Sequence, residues 1–336
     1  MEQLGPDMQT RRDLLIGLGA LGTLAALAAA ALPARAASFP DHPIRLLVGF
    51  PPGGGADLVA RLVAQRLGPA LGTSVLVENR AGANGTIAAA EVARSPADGY
   101  TLLLGVTASQ SISPVLMAKP PYDPLHDFSA ISMVGVTQLV LVVNPKLPVA
   151  SVQDFIAYTK AAKDPVTFGS AGVGNITHMA AELFVQSTGA NMRHIPYKGS
   201  SQVITDLIGG QVQAYFDTLP SSLPFIQGGQ LRALAVTGGE RSGVAPDIPT
   251  MKEAGVADYL ATNWFGLLGP RGMDGALVGK LNGALVQGFA GEEARKAMTA
   301  RGVELALGSP ERFEAELAAD LARWRLVTKK AGIEAE

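Results

Sequence analysis

The chain has 336 residues, 48% hydrophobic and 17% charged, with a formal net charge of −2. That composition excludes a disordered chain and supports a large core in about two domains, while the charge lacks the basic footprint of a nucleic-acid binder. The absence of cysteine removes disulfides, Cys-ligated zinc, iron–sulfur clusters and thiol nucleophiles together.

Residues 1–36 read as an export signal. Arg11-Arg12 precedes an uncharged run of Leu, Ala and Gly from Leu14 to Ala34, which ends at Ala34-Arg35-Ala36-Ala37. That is the order of a basic region, an apolar region and a small-residue cleavage site. The twin arginine points to the Tat route and is also compatible with Sec. Cleavage after about Ala36 predicts a periplasmic mature protein.

Short β-type runs then alternate with helical patterns. Strands are predicted at Ile44–Phe50, Ser74–Glu78 and Tyr100–Gly105, with helices at Ala56–Leu71 and Thr86–Ala93. A second set follows the strand Leu139–Asn144. Its helices are 151–163 (capped by Ser151, with Asp154 at the capping-box position), Ile176–Ser187 and Ser201–Ile208. Its strands are Val166–Gly169, Arg193–Pro196, Gln213–Asp217 and Leu231–Val236. Asn263–Gly269 reads as another buried strand, before helices at Ala276–Phe289, Glu292–Ala300 and Pro310–Lys330. The strands are continuous apolar runs, which predicts mostly parallel sheets flanked by helices, an α/β fold. Two β-α-β sets joined by extended segments predict two lobes with a cleft, 38–141 plus 263–336 forming one lobe and 142–262 the other.

Two segments carry the site prediction. In Phe50-Pro51-Pro52-Gly53-Gly54-Gly55-Ala56-Asp57, a strand runs through a proline–glycine turn straight into a helix. Backbone N–H groups and a helix N-terminus there make an anion site without a basic side chain. Ser170-Ala171-Gly172-Val173-Gly174-Asn175-Ile176-Thr177-His178 repeats the device in the second set. The reading places the amides of Phe50, Gly53 and Gly54 at one ligand end, and Ser170, Gly174, Asn175 and Thr177 at the other. Asp217, at a strand end, is a further cleft candidate, as is Tyr197-Lys198-Gly199 after a strand. The four histidines (His42, His126, His178, His194) have no paired metal-ligand spacing, so neither a metal nor a cofactor is expected. Ser170 lacks a nucleophile elbow. A distant arrangement of Ser170, His178 and Asp217 leaves an exported hydrolase or isomerase as a rival reading.

These segments resemble the Bug-type extracytoplasmic solute-binding receptors of tripartite tricarboxylate transporters. The likeness is carried by Phe50 to Asp57, by Val77-Glu78-Asn79-Arg80-Ala81-Gly82-Ala83-Asn84-Gly85, by Asp98-Gly99-Tyr100 and by Pro121-Tyr122-Asp123-Pro124. It continues through His194 to Gly199, Asp206 to Val212, Leu231 to Thr237 and Asp247-Ile248-Pro249-Thr250. The resemblance implies a type II periplasmic binding protein that closes like a Venus flytrap and is not an enzyme. It implies a small organic carboxylate held by the loops at Phe50, Pro52, Gly53 and Gly54 and at Ser170 to His178, through backbone N–H groups and water. It brings Ser109 and Asp217 near the ligand. Asn175 stands where a serine is common, and the loop Thr107 to Ser111 is variable in the family. The partner is expected to be a membrane permease or a sensor kinase, and the protein a monomer.

Overall fold

The computed structural model describes residues 39–257 and 259–331; the export signal read at 1–36 lies outside them. The strands are β1 (Ile44–Val48), β2 (Val75–Asn79), β3 (Thr101–Val106), β4 (Phe128–Val143) and β5 (Val166–Ser170). They continue as β6 (Met192–Pro196), β7 (Ala214–Thr218), β8 (Arg232–Val236), β9 (Thr262–Pro270) and β10 (Val303–Leu305). The helices are α1 (Gly55–Leu71), α2 (Thr86–Ala93), α3 (Ser113–Leu116), α4 (Val152–Ala161) and α5 (Ile176–Thr188). They continue as α6 (Ser200–Gly209), α7 (Leu219–Gln227), α8 (Gly275–Gly288), α9 (Glu292–Thr299) and α10 (Pro310–Ala331).

Each predicted element is present with ends shifted by at most two residues apart from the strand at Leu139–Asn144, and β10, α3, α7 and short turns at 83–85 and before α3 are additional. The strand placed at Leu139–Asn144 is the end of the 16-residue β4. Its first half is interrupted by Ser129, Ser132 and Thr137, which hides its apolar character. The segment 219–227 contains two prolines and carries no predicted element, yet it is α7. Pro220 sits in the first turn, where no intrahelical donor is needed. A π-helical turn, Ala108–Ile112, leads into α3 at the variable loop.

The sheet order is β2-β1-β3-β9-β4-β7-β5-β6, with β8 and β10 also pairing β4. β1 pairs β2 and β3 in parallel, and β5 pairs β6 and β7 in parallel. The strands that join these two trios are antiparallel. Continuous apolar runs report burial on both faces, and an antiparallel strand covered by helices shows the same run. The result is a mixed α/β sheet system in two lobes.

β4 is common to both. Residues Phe128 to Gln138 pair β9, and Leu139 to Val143 pair β7. At Ala261–Thr262 the chain passes into β9, which pairs the first half of β4. Thr237 ties these two crossings together, because its hydroxyl donates to the carbonyls of Leu139 (3.0 Å) and Ala261 (2.6 Å). Two apolar clusters flank the second sheet, one around Phe155, Phe168, Phe184 and Phe216 and one around Val203, Leu207 and Tyr215. Another, around Leu103, Trp264, Leu268 and Phe313, holds α10 to the first. The carboxyl ends of β1, β3, β5 and β7 all run into loops that open helices, which gathers those helix starts at one place.

Candidate functional site

The first loop is held from behind. Asp57, 2% exposed, accepts hydrogen bonds from Arg61 (3.0 Å), the Gly53 amide (3.0 Å) and Asn79 Nδ2 (3.0 Å). Asn79 Nδ2 also donates to the Phe50 carbonyl at 2.9 Å. Burial works against the Asp57 carboxylate, but the bonds from Arg61, Gly53 and Asn79 outweigh it and keep its pKa below the usual value. Asp57 is therefore a brace for the turn. Gly53 has φ +82°, which a side-chain-bearing residue rarely adopts. At Gly49 a Cβ would run into the Gly85 backbone, so this strand end needs glycine too.

The second loop is braced differently. Asn175 caps α5 by accepting from the Thr177 amide (3.1 Å) and the Thr177 hydroxyl (3.1 Å). The Thr177 hydroxyl in turn accepts from the Ala171 amide at 2.9 Å. With its oxygen so occupied, Asn175 has its amide NH₂ left to offer. The Gly174 amide donates to His178 Nδ1 at 3.1 Å, and Ser170 Oγ lies 2.6 Å from His194 Nε2.

Between the two loops lies a partly open pocket lined by residues of both. The starts of four helices line it: Gly54, Gly55 and Ala56 of α1, Ile176 and Thr177 of α5, Ser200 of α6, and Thr218 ahead of α7. The N-caps of α1, α6 and α7 (Gly54, Gly199, Thr218) make no side-chain capping bond. First-turn N–H groups have no intrahelical acceptor, and at these three ends the N-cap side chain supplies none. Each helix start also carries a partial positive charge of about half a unit. Among the described residues, no charged side chain lines the cavity. Its apolar walls are Phe50, Val106, Ala108 and Phe265.

Of the predicted site residues, Phe50, Gly54, Asn175 and Thr177 line this cavity. Pro52, Gly53, Ser109, Ser170, Gly174, His178 and Asp217 do not. The Gly53 amide, predicted as a ligand donor, is taken by Asp57. Ser109 bonds the backbone of Val106. Ser170 and Gly174 are engaged with the two histidines, behind the loop. Asp217 is fully buried and accepts from Ser221 and Ser222, the latter at 2.6 Å. Burial pushes its pKa up, with those hydroxyls offsetting part of the shift. The rival triad does not assemble, since Ser170 meets His194 and Asp217 meets two serines.

Sequence reasoning missed Gly55, Ala56, Ser200, Thr218, Asn263 and Phe265. A signal existed for the last two, because Asn263 and Phe265 alternate along β9 and share one face. The two halves also touch outside the cavity. Asn84, at φ 54°, donates from Nδ2 to the Val173 carbonyl across the cleft. A Cβ at Gly172 would collide with the Asn84 amide, so the contact needs glycine there.

The histidine pair behind the second loop predicts a pH effect. The rings of His178 and His194 stack with centroids 3.8 Å apart, and Phe168 covers His194 at 5.0 Å. Burial first, then the adjacent His178, pull the His194 pKa down to about 4, with Glu182 opposing. The unfolded ring takes up a proton near 6.5, whereas the folded ring resists until about 4. Its contribution to stability is therefore intact above pH 6.5 and is lost as pH falls toward 4. Melting temperatures measured from pH 7.5 to 4.5 are expected to fall across that window, and His194→Gln is expected to flatten the fall. Equal slopes would show that His194 does not carry the effect.

Comparison with known proteins agrees with this geometry. The model of the tripartite tricarboxylate transporter family receptor matches residues 59–333. Protein BugT of Bordetella pertussis is 38% identical over 316 residues, covering 94% of this chain and 97% of its own. Among solved structures, R. palustris Rpa4515 with adipate superposes with a TM-score of 0.86 at 35% identity, covering 89% of this chain and 100% of that one. MatC from Rhodopseudomonas palustris with bound malate gives 0.81 at 28% identity, covering 86% and 99%. The uncapped helix starts around one cavity are thus those of a solute-binding receptor rather than an enzyme, and the chain belongs to the tripartite tricarboxylate transporter receptor family.

Proposed function

We propose that this protein captures a small organic carboxylate between its lobes in the periplasm and delivers it to a membrane permease. One observation carries the reading: three helix starts without side-chain caps, and a fourth capped by Asn175, open on a cavity that, among the described residues, no charged side chain lines. Such a site favours an anion through backbone donors and helix dipoles, with water completing the contacts. A neutral sugar would leave those dipoles uncompensated, and a cation would oppose them. The adipate and malate carried by the two solved relatives support a carboxylate. The family's transporter supports a permease as the receiver. The export signal at 1–36 and the family support the periplasm. Among the described residues no helix is long and apolar enough to cross a membrane. Lobes 38–141 with 263–336, and 142–262, close about the two crossings that Thr237 ties. Closure brings the α1 donors against those of α5, α6 and α7, so ligand and closed state stabilise each other. The protein acts as a monomer.

The test is thermal shift on mature protein that has been unfolded and refolded to strip ligand. The panel holds mono-, di- and tricarboxylates, with sugars and amines as controls. A bound acid at about one hundred times its Kd adds about 2.7 kcal/mol. That is a rise of roughly 4 °C for a mature chain of about 300 residues. A shift with sugars or amines and with no acid overturns the reading.

A further inference from the structure

The lobe-1 wall of the cavity has an order that the sheet fixes. β1, β3 and β9 are neighbours in that sequence across the sheet. The α1 donors follow the end of β1, Val106 and Ala108 lie at the end of β3, and Asn263 lies on β9. Adjacent strands are about 4.8 Å apart, so Asn263 stands about 10 Å from the line of the α1 donors. Between them the wall is apolar.

Asn263 differs from the other polar side chains there. The Thr177 and Thr218 hydroxyls and the Asn175 oxygen already have partners inside their own loops. The Ser200 hydroxyl bonds Tyr215 at 2.7 Å. Asn263 is 3% exposed, lines the cavity, and has no side-chain hydrogen bond among the described residues. Its direction follows from β9. Trp264 and Gly266 face α10, where the Trp264 ring meets Phe313 edge-on at 5.5 Å, so Asn263 and Phe265 face the cavity. Its amide atoms are open to the cavity, so a bound group can take up hydrogen bonds that water otherwise makes there.

We infer that Asn263 is the specificity-determining residue for the end of the ligand remote from the helix starts. It selects acids of about four to six carbons that carry a second oxygen-bearing group over plain monocarboxylates of equal length. The first carboxylate sits on the α1, α5, α6 and α7 donors, the chain crosses Val106 and Ala108, and the second group meets the Asn263 amide. This inference rests on the carboxylate reading above and deepens it.

Calorimetry with matched acids tests it, using succinate against butyrate and adipate against hexanoate. The wild-type protein is expected to bind the two-ended member of at least one pair tenfold or more tightly. Asn263→Leu, of similar shape, is expected to weaken that acid roughly ten- to hundredfold. The plain acid should stay within about threefold. Asn263→Asp keeps the size but puts a carboxylate opposite a carboxylate, and is expected to weaken the two-ended acid at least as much. It also serves if the leucine variant does not fold. Equal losses for both members of a pair, or none for either, overturn the inference while leaving the carboxylate site standing. Failure of the wild-type protein to bind any acid removes the carboxylate reading itself, and the inference with it.

Discussion

Gly54→Val is expected to weaken carboxylate binding by a hundredfold or more while leaving the ligand-free protein folded. Gly54 is the N-cap of α1, at φ −80° and ψ 167°, an extended conformation that valine adopts readily. A first carbon there finds room, since the nearest atoms are the Pro51 carbonyl oxygen at 3.8 Å and Ser200 Cβ at 3.9 Å. Gly54 and Ser200 both line the cavity, so the two methyl groups beyond that carbon are expected to intrude on it between α1 and α6. They occupy the space of the carboxylate and displace it from at least two charge-assisted hydrogen bonds. Each such bond contributes about 1.5–3 kcal/mol, and 1.4 kcal/mol is a factor of ten in Kd. The fold loses no more than about 1 kcal/mol, the difference between a glycine and an aliphatic N-cap. Calorimetry and melting of the same preparation separate the two quantities. Gly54→Ala, whose carbon makes ordinary contacts, should show a much smaller loss. Equal loss of melting temperature and affinity in the valine variant would mean that Gly54 serves the fold alone.

The contrast between Gly54 and Gly53 shows what was legible from the residues. The run Phe50 to Asp57 announces a strand, a glycine turn and a helix start, and the structure builds that. It does not announce which amides stay free. Gly53 spends its donor on Asp57, a contact that depends on the carboxylate returning one helical turn to the loop. In the second loop, likewise, the Asn175 cap is readable from its place before α5. The occupation of Gly174 by His178, and of Ser170 by His194, depends on how β5 and β6 are paired. The start of α6 is legible, since the sequence predicts a helix from Ser201 and Tyr197-Lys198-Gly199 before it is already a cleft candidate. The start of α7 is not, because Asp217-Thr218-Leu219-Pro220 looks like a loop locally and only the gathering of strand ends turns it toward the cavity. The alternation Asn263, Phe265 was present in the sequence. It was obscured because Asn263–Gly269 reads as an apolar run buried on both faces, which gives no sign of which face meets solvent or ligand. Local chemistry is thus visible in the chain, and the allocation of each donor is decided by tertiary pairing.

β9 couples the site to the core, and this leads to the largest expected effect on stability. One face of β9 carries Asn263 and Phe265 into the cavity, and the other receives α10. Phe313, Leu317, Leu321 and Trp324 form the buried stripe of that helix. Phe313 is 1% exposed, and its ring fills the space above Gly266 so completely that a Cβ there would penetrate it. Trp264 Nε1 donates to Asp320 Oδ2 at 2.8 Å and fixes the same helix. Phe313→Ala is expected to cost about 3–5 kcal/mol, the usual range for deleting a buried aromatic ring. Gly266→Ala, which overpacks the same spot, is expected to cost about 1–3 kcal/mol. The two changes act on one volume, so the double variant should be less destabilised than the sum, because the added methyl enters the space the ring has left. A coupling of about 1 kcal/mol or more, read from denaturant midpoints of the four proteins, is the expected outcome. Strict additivity would mean that Gly266 is small for a reason other than Phe313. The single variants should also weaken ligand binding while touching nothing in the cavity, because β9 sets the position of Asn263 from behind. The double variant, with the strand less strained, should recover part of that affinity as well as part of the stability.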